Sequence, residues 1–480
     1  MSILEQLRNA TVDERIEQGR SARTAYPRTT LGEWSVPVDR PDPIALLAEQ
    51  ETSRVQALLP VRHERMSVSP FTFYRGTAIV MANDLGVMPN SGLSTQLCGD
   101  AHMSNFGMFA APDRSVVFDL NDFDETNPGP FEWDLVRLAV SALLASEENG
   151  RDAAAGNAAV AASVAGYVAG MQSYAVMSNL DVWYNRIDVE GLQQVAKQLG
   201  DKAGAKGLAK AAKKARSRDA WSAAEKLTEL GEDGKRRFVS QPPLIAPIPM
   251  DGELGVRALE MFKTYMDTMS EAPRHLIHQY SMVDIGHKVV GVGSVGLLSI
   301  VGLMQGRDEN DLLILQFKQA QTSVLEPFSG ASVYPEHGQR VVAGQRMMQA
   351  ASDQFLGWMT GALGRQYYVR QLRDMKWSPD LADFDAEGLA KYAFLCGGTM
   401  ARAHARSGDP VAINAYLGSG KKFTESMVAF ANTYSKVVSA DFAAFKEAVA
   451  DGVLGGNATA PSTMHEHVQS VRTTFSTPGK

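Results

Sequence analysis

Two clusters of oxygen-bearing side chains lie close together between residues 98 and 134. The first is Gly99-Asp100-Ala101-His102-Met103-Ser104-Asn105. The second is Asp119-Leu120-Asn121-Asp122-Phe123-Asp124-Glu125. Carboxylates and amides packed this densely beside apolar residues are costly unless solvent, a metal or hydrogen bonds satisfy them. Oxygen donors of this kind suit Mg²⁺ or Mn²⁺. The spacing Asp100-x-x-x-x-Asn105, followed by Asp122-Phe123-Asp124, matches the needs of phosphoryl transfer. There, one Asp orients or deprotonates an acceptor hydroxyl, while an Asn and a second Asp hold metal ions on nucleotide phosphates. On this reading Asp100 positions the acceptor, and Asn105 and Asp122 bind metal. Asp124 assists a second metal or caps the loop, and Asp119 orders a strand end.

The elements that must place these groups follow from local pattern. Ser115-Val116-Val117-Phe118 reads as a strand, and Pro112-Asp113-Arg114 as the turn before it. The run 288–304 reads as strand, glycine turn, strand, with Gly291, Gly293 and Gly296 in G-x-G-x-x-G. That motif alone is weak, because a hairpin with glycine turns is the commoner explanation. The next strand, Leu312-Leu313-Ile314-Leu315-Gln316-Phe317-Lys318, carries one Lys near its end, the context in which a kinase Lys meets nucleotide phosphates. Glu326 and Glu336 are the candidate carboxylates for Lys318, and the motif Ser323-Val324-Leu325-Glu326-Pro327 favours Glu326. Trp358 and Tyr367–Leu372 suggest two more strands, with backbone groups from Arg370 to Leu372 placed to meet an adenine.

The two clusters resemble the G-D-x-H-x-x-N loop and following D-F-D segment of small-molecule kinases such as aminoglycoside and choline phosphotransferases. Asp134, in Glu132-Trp133-Asp134-Leu135, resembles the Asp that opens their next large helix. Cys98 departs from the pattern, standing where those enzymes usually carry His. Over residues 20 to 440 the chain resembles the bacterial family called the domain of unknown function 2252. The stretches that carry this are Ser69–Gly76, Cys98–Asp134, Arg340–Arg346, Gln349–Asp353, Tyr368–Lys376 and Arg402–Asp409. The kinase resemblance implies an α+β, two-lobed protein-kinase-like fold with a mostly helical large lobe, and ATP as cofactor. Yet the glycine turn and Lys318 come after the Asp/Asn loop, the reverse of the usual order. Residues 389–405, similar to the helix that normally precedes the catalytic loop, come later still. A circular permutation accounts for all three, and permutation is tolerated where native termini lie close together on the surface. The expected parts are a helical lead-in over 1–95, the first part of the large lobe over 96–280, a β-rich nucleotide-binding lobe over 281–376, and a helical remainder over 377–480.

With 480 residues, 45% hydrophobic and 21% charged, the chain has the composition of a soluble globular protein. A net charge of −7 gives no argument for nucleic acid or membrane as a partner. Two cysteines, Cys98 and Cys396, supply neither a disulfide framework nor a Cys-rich zinc motif. The charged N-terminal segment has no apolar core of a signal peptide. The uncharged run Ala153–Met171 reads as a buried core helix and not a membrane span, and the expected compartment is the cytoplasm. Asp42-Pro43 predicts a helix start. Arg75 is a phosphate or carboxylate clamp or else a structural ion pair. Lys202, Lys206, Lys210 and Lys213 with Lys214, Arg216 and Arg218 form a solvated helix face or a docking stripe for an anionic partner. His404 and Asp409 are candidates for chemistry or for packing at the end of a helix. Asp100-x-His102 also resembles the opening of a two-metal phosphoesterase site, but the Gly-Asn-His segment such sites use is missing from the sequence. Nucleotidyl transfer and a non-catalytic nucleotide-binding module remain open on the same residues, and the acceptor is not legible.

Overall fold

A helical body and an antiparallel sheet share the chain, and the two acidic loops lie where they meet. The structure is a computed structural model that describes residues 10–455 except 199, 219, 232–233, 290, 362–363 and 373, together with a few positions between 460 and 470. The architecture is mixed α and β.

The strands in chain order are β1 (Ser94–Leu97), β2 (Phe106–Ala110), β3 (Val116–Leu120), β4 (Asn127–Pro130), β5 (Thr228–Leu230), β6 (Arg236–Phe238), β7 (Ile245–Ile248), β8 (Ser281–Lys288), β9 (Ser299–Gln305), β10 (Leu312–Ala320), β11 (Gly357–Thr360) and β12 (Gln366–Gln371). Six of them form one antiparallel sheet in the order β11-β12-β10-β9-β8-β7. The expected β-rich lobe therefore begins before residue 281, because β7 joins its edge. Alternation along β10 divides the sheet into two faces. Leu313, Leu315 and Phe317 enter one apolar cluster and Leu312 and Ile314 another. Gln316 and Lys318 continue the second face. Opposite them in register stand Arg370 and Tyr368 of β12, with Ser299 of β9 beside Lys318. One end of that face is thus polar, and it turns toward the acidic loops.

The helical body is built from α1 (Phe131–Glu148), α2 (Ala153–Tyr174), α5 (Ala386–Ala405) and α6 (Lys421–Ala450), while α3 (Glu253–Asp267) and α4 (His337–Met348) pack on the sheet. Every residue of α1 from Phe131 to Ser146 is buried, mostly apolar side chains with Glu132, Asp134 and Arg137 among them. Asn149 to Asp152 separate α1 from α2, and Asp152 caps α2 by accepting from the N–H of Ala155 at 2.8 Å. The helix α2 is long and apolar enough to cross a membrane by composition, and half of that window is buried in the fold. It crosses α5 at two glycines. A Cβ on Gly166 would lie 2.0 Å from the carbonyl of Phe394, and one on Gly397 1.9 Å from that of Ser163. Asp42 caps the helix Pro43–Glu51 as its sequence predicts. The basic run folds into the helix Lys202–Arg216, with Ala205, Ala211, Ala212 and Ala215 inward and Lys206, Lys210 and Lys213 exposed.

Candidate functional site

Two antiparallel pairings bring the acidic clusters together. The β1–β4 pair sets Leu97 opposite Asn127, which places the loop after β1 beside the loop before β4. The β2–β3 hairpin sets Phe106 opposite Leu120, so Asn105 and Asn121 emerge side by side. The N–H of Asn121 donates to the carbonyl of Asn105 at 2.9 Å. The Asn105 amide donates in turn to the carbonyls of Asp100 and Asp122, both at 3.1 Å. Gly99 makes the first loop possible. Its φ is +80°, and a Cβ there would meet the Glu125 carbonyl at 2.3 Å.

Helix α1 fixes this loop from below. The Asp134 carboxylate accepts from the backbone N–H groups of Cys98 at 2.8 Å and Gly99 at 3.0 Å. One turn on, Arg137 donates to Asp100 at 2.6 Å and to the carbonyl of Tyr74 at 2.8 Å, with its guanidinium 4.3 Å from the Tyr74 ring centroid. Burial pushes the Asp100 carboxyl up, and Arg137 opposes that. His404 is fully buried between the Tyr167 hydroxyl, at 2.9 Å, and Asp134, at 3.3 Å. Asp409 caps the helix Pro410–Leu417. Asp119 is buried against Arg402 at 2.6 Å. All three are engaged by partners within the fold, and none lines the cleft described below.

The polar end of the sheet closes on the second loop. Lys318, with 1% of its surface exposed, ion-pairs with Asp124 and lies 3.7 Å from Asp122. Its ammonium pKa is raised, because Asp122 and Asp124 outweigh the burial that would lower it. Burial also works against the charged form of Asp122, yet Lys318, Arg370 and Lys376 together hold that carboxyl below its usual value. Asp124 accepts from the Tyr368 hydroxyl at 2.8 Å, and its carbonyl from Arg340 of α4 at 2.9 Å.

The carboxylates expected beside Lys318 are elsewhere. Glu326 accepts from the N–H groups of Ser323 and Ser332 and lies 3.7 Å from Arg340. It braces the connection after β10 and does not pair with Lys318. Glu336 is the N-cap residue of α4 and does not pair with Lys318 either. An Asp three residues beyond Asn121, and not a helix glutamate, neutralises the lysine.

Asp100, Asn105, Asp122 and Asp124 line one cleft of about 480 Å³, faced by Gly291 and Gly293. Gly296 lies behind, with Arg54 against it. The glycine connection is held from outside by the lead-in segment. Arg62 donates to the carbonyl of Gly293 and Arg54 to that of Val295, both at 2.7 Å. Arg65 donates to that of Gly291, and the N–H of Val55 to that of Gly296 at 2.8 Å. Among the described residues, the N–H groups of Val292, Gly293, Ser294 and Gly296 have no protein acceptor.

Arg370 and Leu372 depart from expectation. Arg370 lines the cleft and also a smaller cavity of about 270 Å³, and Leu372 lines only the latter. The N–H of Leu372 donates to Ile314 at 2.9 Å and that of Gln371 to Asp353 at 2.5 Å, so neither is free for a base. Among the described residues no group of three or more His, Cys, Asp and Glu converges as a metal site. A family model, described as an uncharacterized protein conserved in bacteria, the domain of unknown function 2252, matches residues 54–448. The chain belongs to this family. No curated protein and no solved structure matches it. The matched span of the domain of unknown function 2252 begins at Arg54, so it takes in the acidic loops and the glycine connection with the arginines that hold it, while Glu49, Gln50, Thr52 and Ser53 of the cleft wall precede it.

Arg137 is the main site residue that motif reading missed. Its signal was its position, three residues after Asp134 on one helix face. The grip of Arg54, Arg62 and Arg65 on the glycine connection had no comparable signal, because it joins segments more than two hundred residues apart in the chain.

Proposed function

We propose that this chain transfers a phosphoryl group from ATP, with Mg²⁺ or Mn²⁺, to a hydroxyl group of an acceptor, on a two-lobed kinase-like fold whose parts follow a permuted order. One observation carries the reading. The glycine connection and the loops of Asp100, Asn105 and Asp122 come from distant parts of the chain and meet at a single cleft, and the buried Lys318 pairs with two of the carboxylates that line it.

The donor chemistry fits a metal–nucleotide. Asp122 keeps 41% of its side-chain surface exposed and offers oxygen donors beside Asn105. Magnesium typically takes one or two carboxylates and completes its shell with substrate phosphates and water, so a three-residue cage is not required. A bound divalent ion would offset charge on the phosphates. Lys318 exchanges its carboxylate partners for phosphate oxygens when nucleotide enters. The unpaired N–H groups of the glycine connection suit phosphate oxygens as well. Asp100 holds the acceptor hydroxyl, its orientation fixed by Arg137.

The test is thermal unfolding of the wild type and of Asp122→Ala with ATP, Mg²⁺ and Mn²⁺, separately and together. A ligand at a hundredfold excess over its dissociation constant adds about 2.7 kcal/mol of stability. The expected shift needs both nucleotide and metal and disappears in Asp122→Ala. A shift with Mn²⁺ alone favours a phosphoesterase, and no shift under any condition rejects a nucleotide site.

A further inference from the structure

The cleft wall at residues 75–79 carries a guanidinium from which no described residue accepts a hydrogen bond. Arg75 follows the short helix Pro70–Tyr74 and lines the cleft in a half-buried position. Among the described residues no oxygen accepts a hydrogen bond from its side chain, and its Nε is shut off from solvent as well. Its guanidinium carbon lies 5.9 Å from the centroid of the Phe71 ring. Two neighbouring arginines set the contrast. Arg62 is held by Glu51, Gln50 and the carbonyls of Gly76 and Gly293, and Arg137 by Asp100 and the carbonyl of Tyr74. With no acceptor for it among the described residues, a structural ion pair does not explain Arg75.

A second unpaired group lies at the same place. His102 is 8% exposed, lines the cleft, and has an Nδ1 with no partner. Burial, with Arg75 and Arg137 nearby, keeps its ring neutral. The carboxylates that act most strongly on Arg75 are Asp100 and Glu148, not Asp122 or Asp124. The guanidinium therefore belongs to the Asp100 side of the cleft. Its own carbonyl lies 3.2 Å from where a Cβ on Gly293 would stand, so the backbone of Arg75 abuts the glycine connection.

We propose that Arg75, with His102 beside it, binds an oxyanion carried by the acceptor, a phosphate or a carboxylate, so that the substrate class is an anionic hydroxyl compound. This rests on the reading that Asp100 positions the acceptor hydroxyl. The planar fork of an arginine matches two oxygens of either group, and the partner missing from the protein then arrives with the substrate.

The experiment is isothermal titration of inorganic phosphate and of malonate into wild type, Arg75→Gln and Arg75→Lys, each saturated with Mg²⁺ and a non-hydrolysable ATP analogue. At least one anion is expected to bind the wild type, about tenfold or more weaker to Arg75→Gln, with partial recovery in Arg75→Lys. Tighter phosphate binding points to a phosphorylated acceptor, and tighter malonate binding to a carboxylated one. Binding of the analogue should be the same in all three proteins. The proposal is overturned if neither anion binds wild type, or if Arg75→Gln weakens the analogue as much as the anion, since Arg75 would then serve the nucleotide. It is also overturned if ligand-free Arg75→Gln melts well below wild type, which would reveal a structural partner. If the analogue fails to bind wild type while an anion still binds through Arg75, the phosphotransferase reading falls and the anion site stands.

Discussion

Replacing Lys318 with Met removes the cation that joins the sheet to the second acidic loop while keeping most of the side-chain volume. The gross attraction to Asp122 at 3.7 Å is about 4 kcal/mol at an effective dielectric of ~20. Asp122 is 41% exposed, so solvent screening reduces that figure, and the desolvation of Lys318 opposes it. Asp124 loses its direct ion pair but keeps the Tyr368 hydroxyl. The net loss expected is about 2–3 kcal/mol near neutral pH. Its pH dependence follows from Asp122. Burial pushes that carboxyl up, but Lys318, Arg370 and Lys376 together hold it below its ordinary value of 3.8. A carboxyl depressed in the folded state contributes stability above its unfolded pKa and loses it as pH falls through the folded one. The deficit of Lys318→Met should be complete at pH 7 and should narrow below about pH 4. Calorimetric melting of both proteins across that range measures it. Equal midpoints at neutral pH, or a deficit that widens on acidification, would refute the claim that this ion cluster fastens the sheet to the loop.

Asp134→Ala leaves the N–H groups of Cys98 and Gly99 and the ring of His404 without their acceptor. It should cost about 3 kcal/mol or more in chemical denaturation, and a change under about 1 kcal/mol would show that the loop holds its shape without it. Glu125 behaves in the opposite sense to Asp122, because burial pushes its carboxyl from 4.5 up to about 7. Its stabilising contribution is complete below the unfolded value and is lost as pH rises through about 7. Glu125→Gln keeps an acceptor for the Val324 N–H and should be more stable than wild type at pH 8 by about 1–3 kcal/mol, with no advantage at pH 4. A variant less stable than wild type at pH 8 contradicts this.

The chemistry-bearing loops were legible because their signals are local. A strand-length apolar run between two polar clusters fixes the β2–β3 hairpin, and Gly99 and Asn105 then shape the turns around it. The glycine connection and Lys318 were legible for the same reason, since alternation along Leu312–Lys318 shows which side chains share a face. The partner of Lys318 was not. Choosing between Glu326 and Glu336 assumed a carboxylate nearby in sequence, whereas Asp124 reaches it from the other side of the cleft. Glu326 instead turns back on its own chain at Ser323 and Ser332. The free backbone expected near Leu372 failed for a related reason. Its N–H continues the β10 ladder through Ile314, and whether a strand ends or runs on depends on its neighbour and not on its own residues. The start of the sheet was misplaced because β7 is short and carries Pro247, which suits an edge strand but reads as a linker.

The clasp that Arg54, Arg62 and Arg65 place on the glycine connection determines where this chain can be cut. Trimming to Ser69, just ahead of the acidic loops, looks harmless from the motifs alone. It would strip three donors from the carbonyls of Gly291, Gly293 and Val295, and with Leu58 and Val61 part of the apolar packing beneath β9 and β10. Such a fragment would keep every acidic side chain of the two loops and lose the roof over them. The amides of Val295, Leu297 and Leu298, which are hydrogen-bonded in the full chain, should exchange with deuterated solvent far faster in the fragment, while those of α1 and α5 keep their protection.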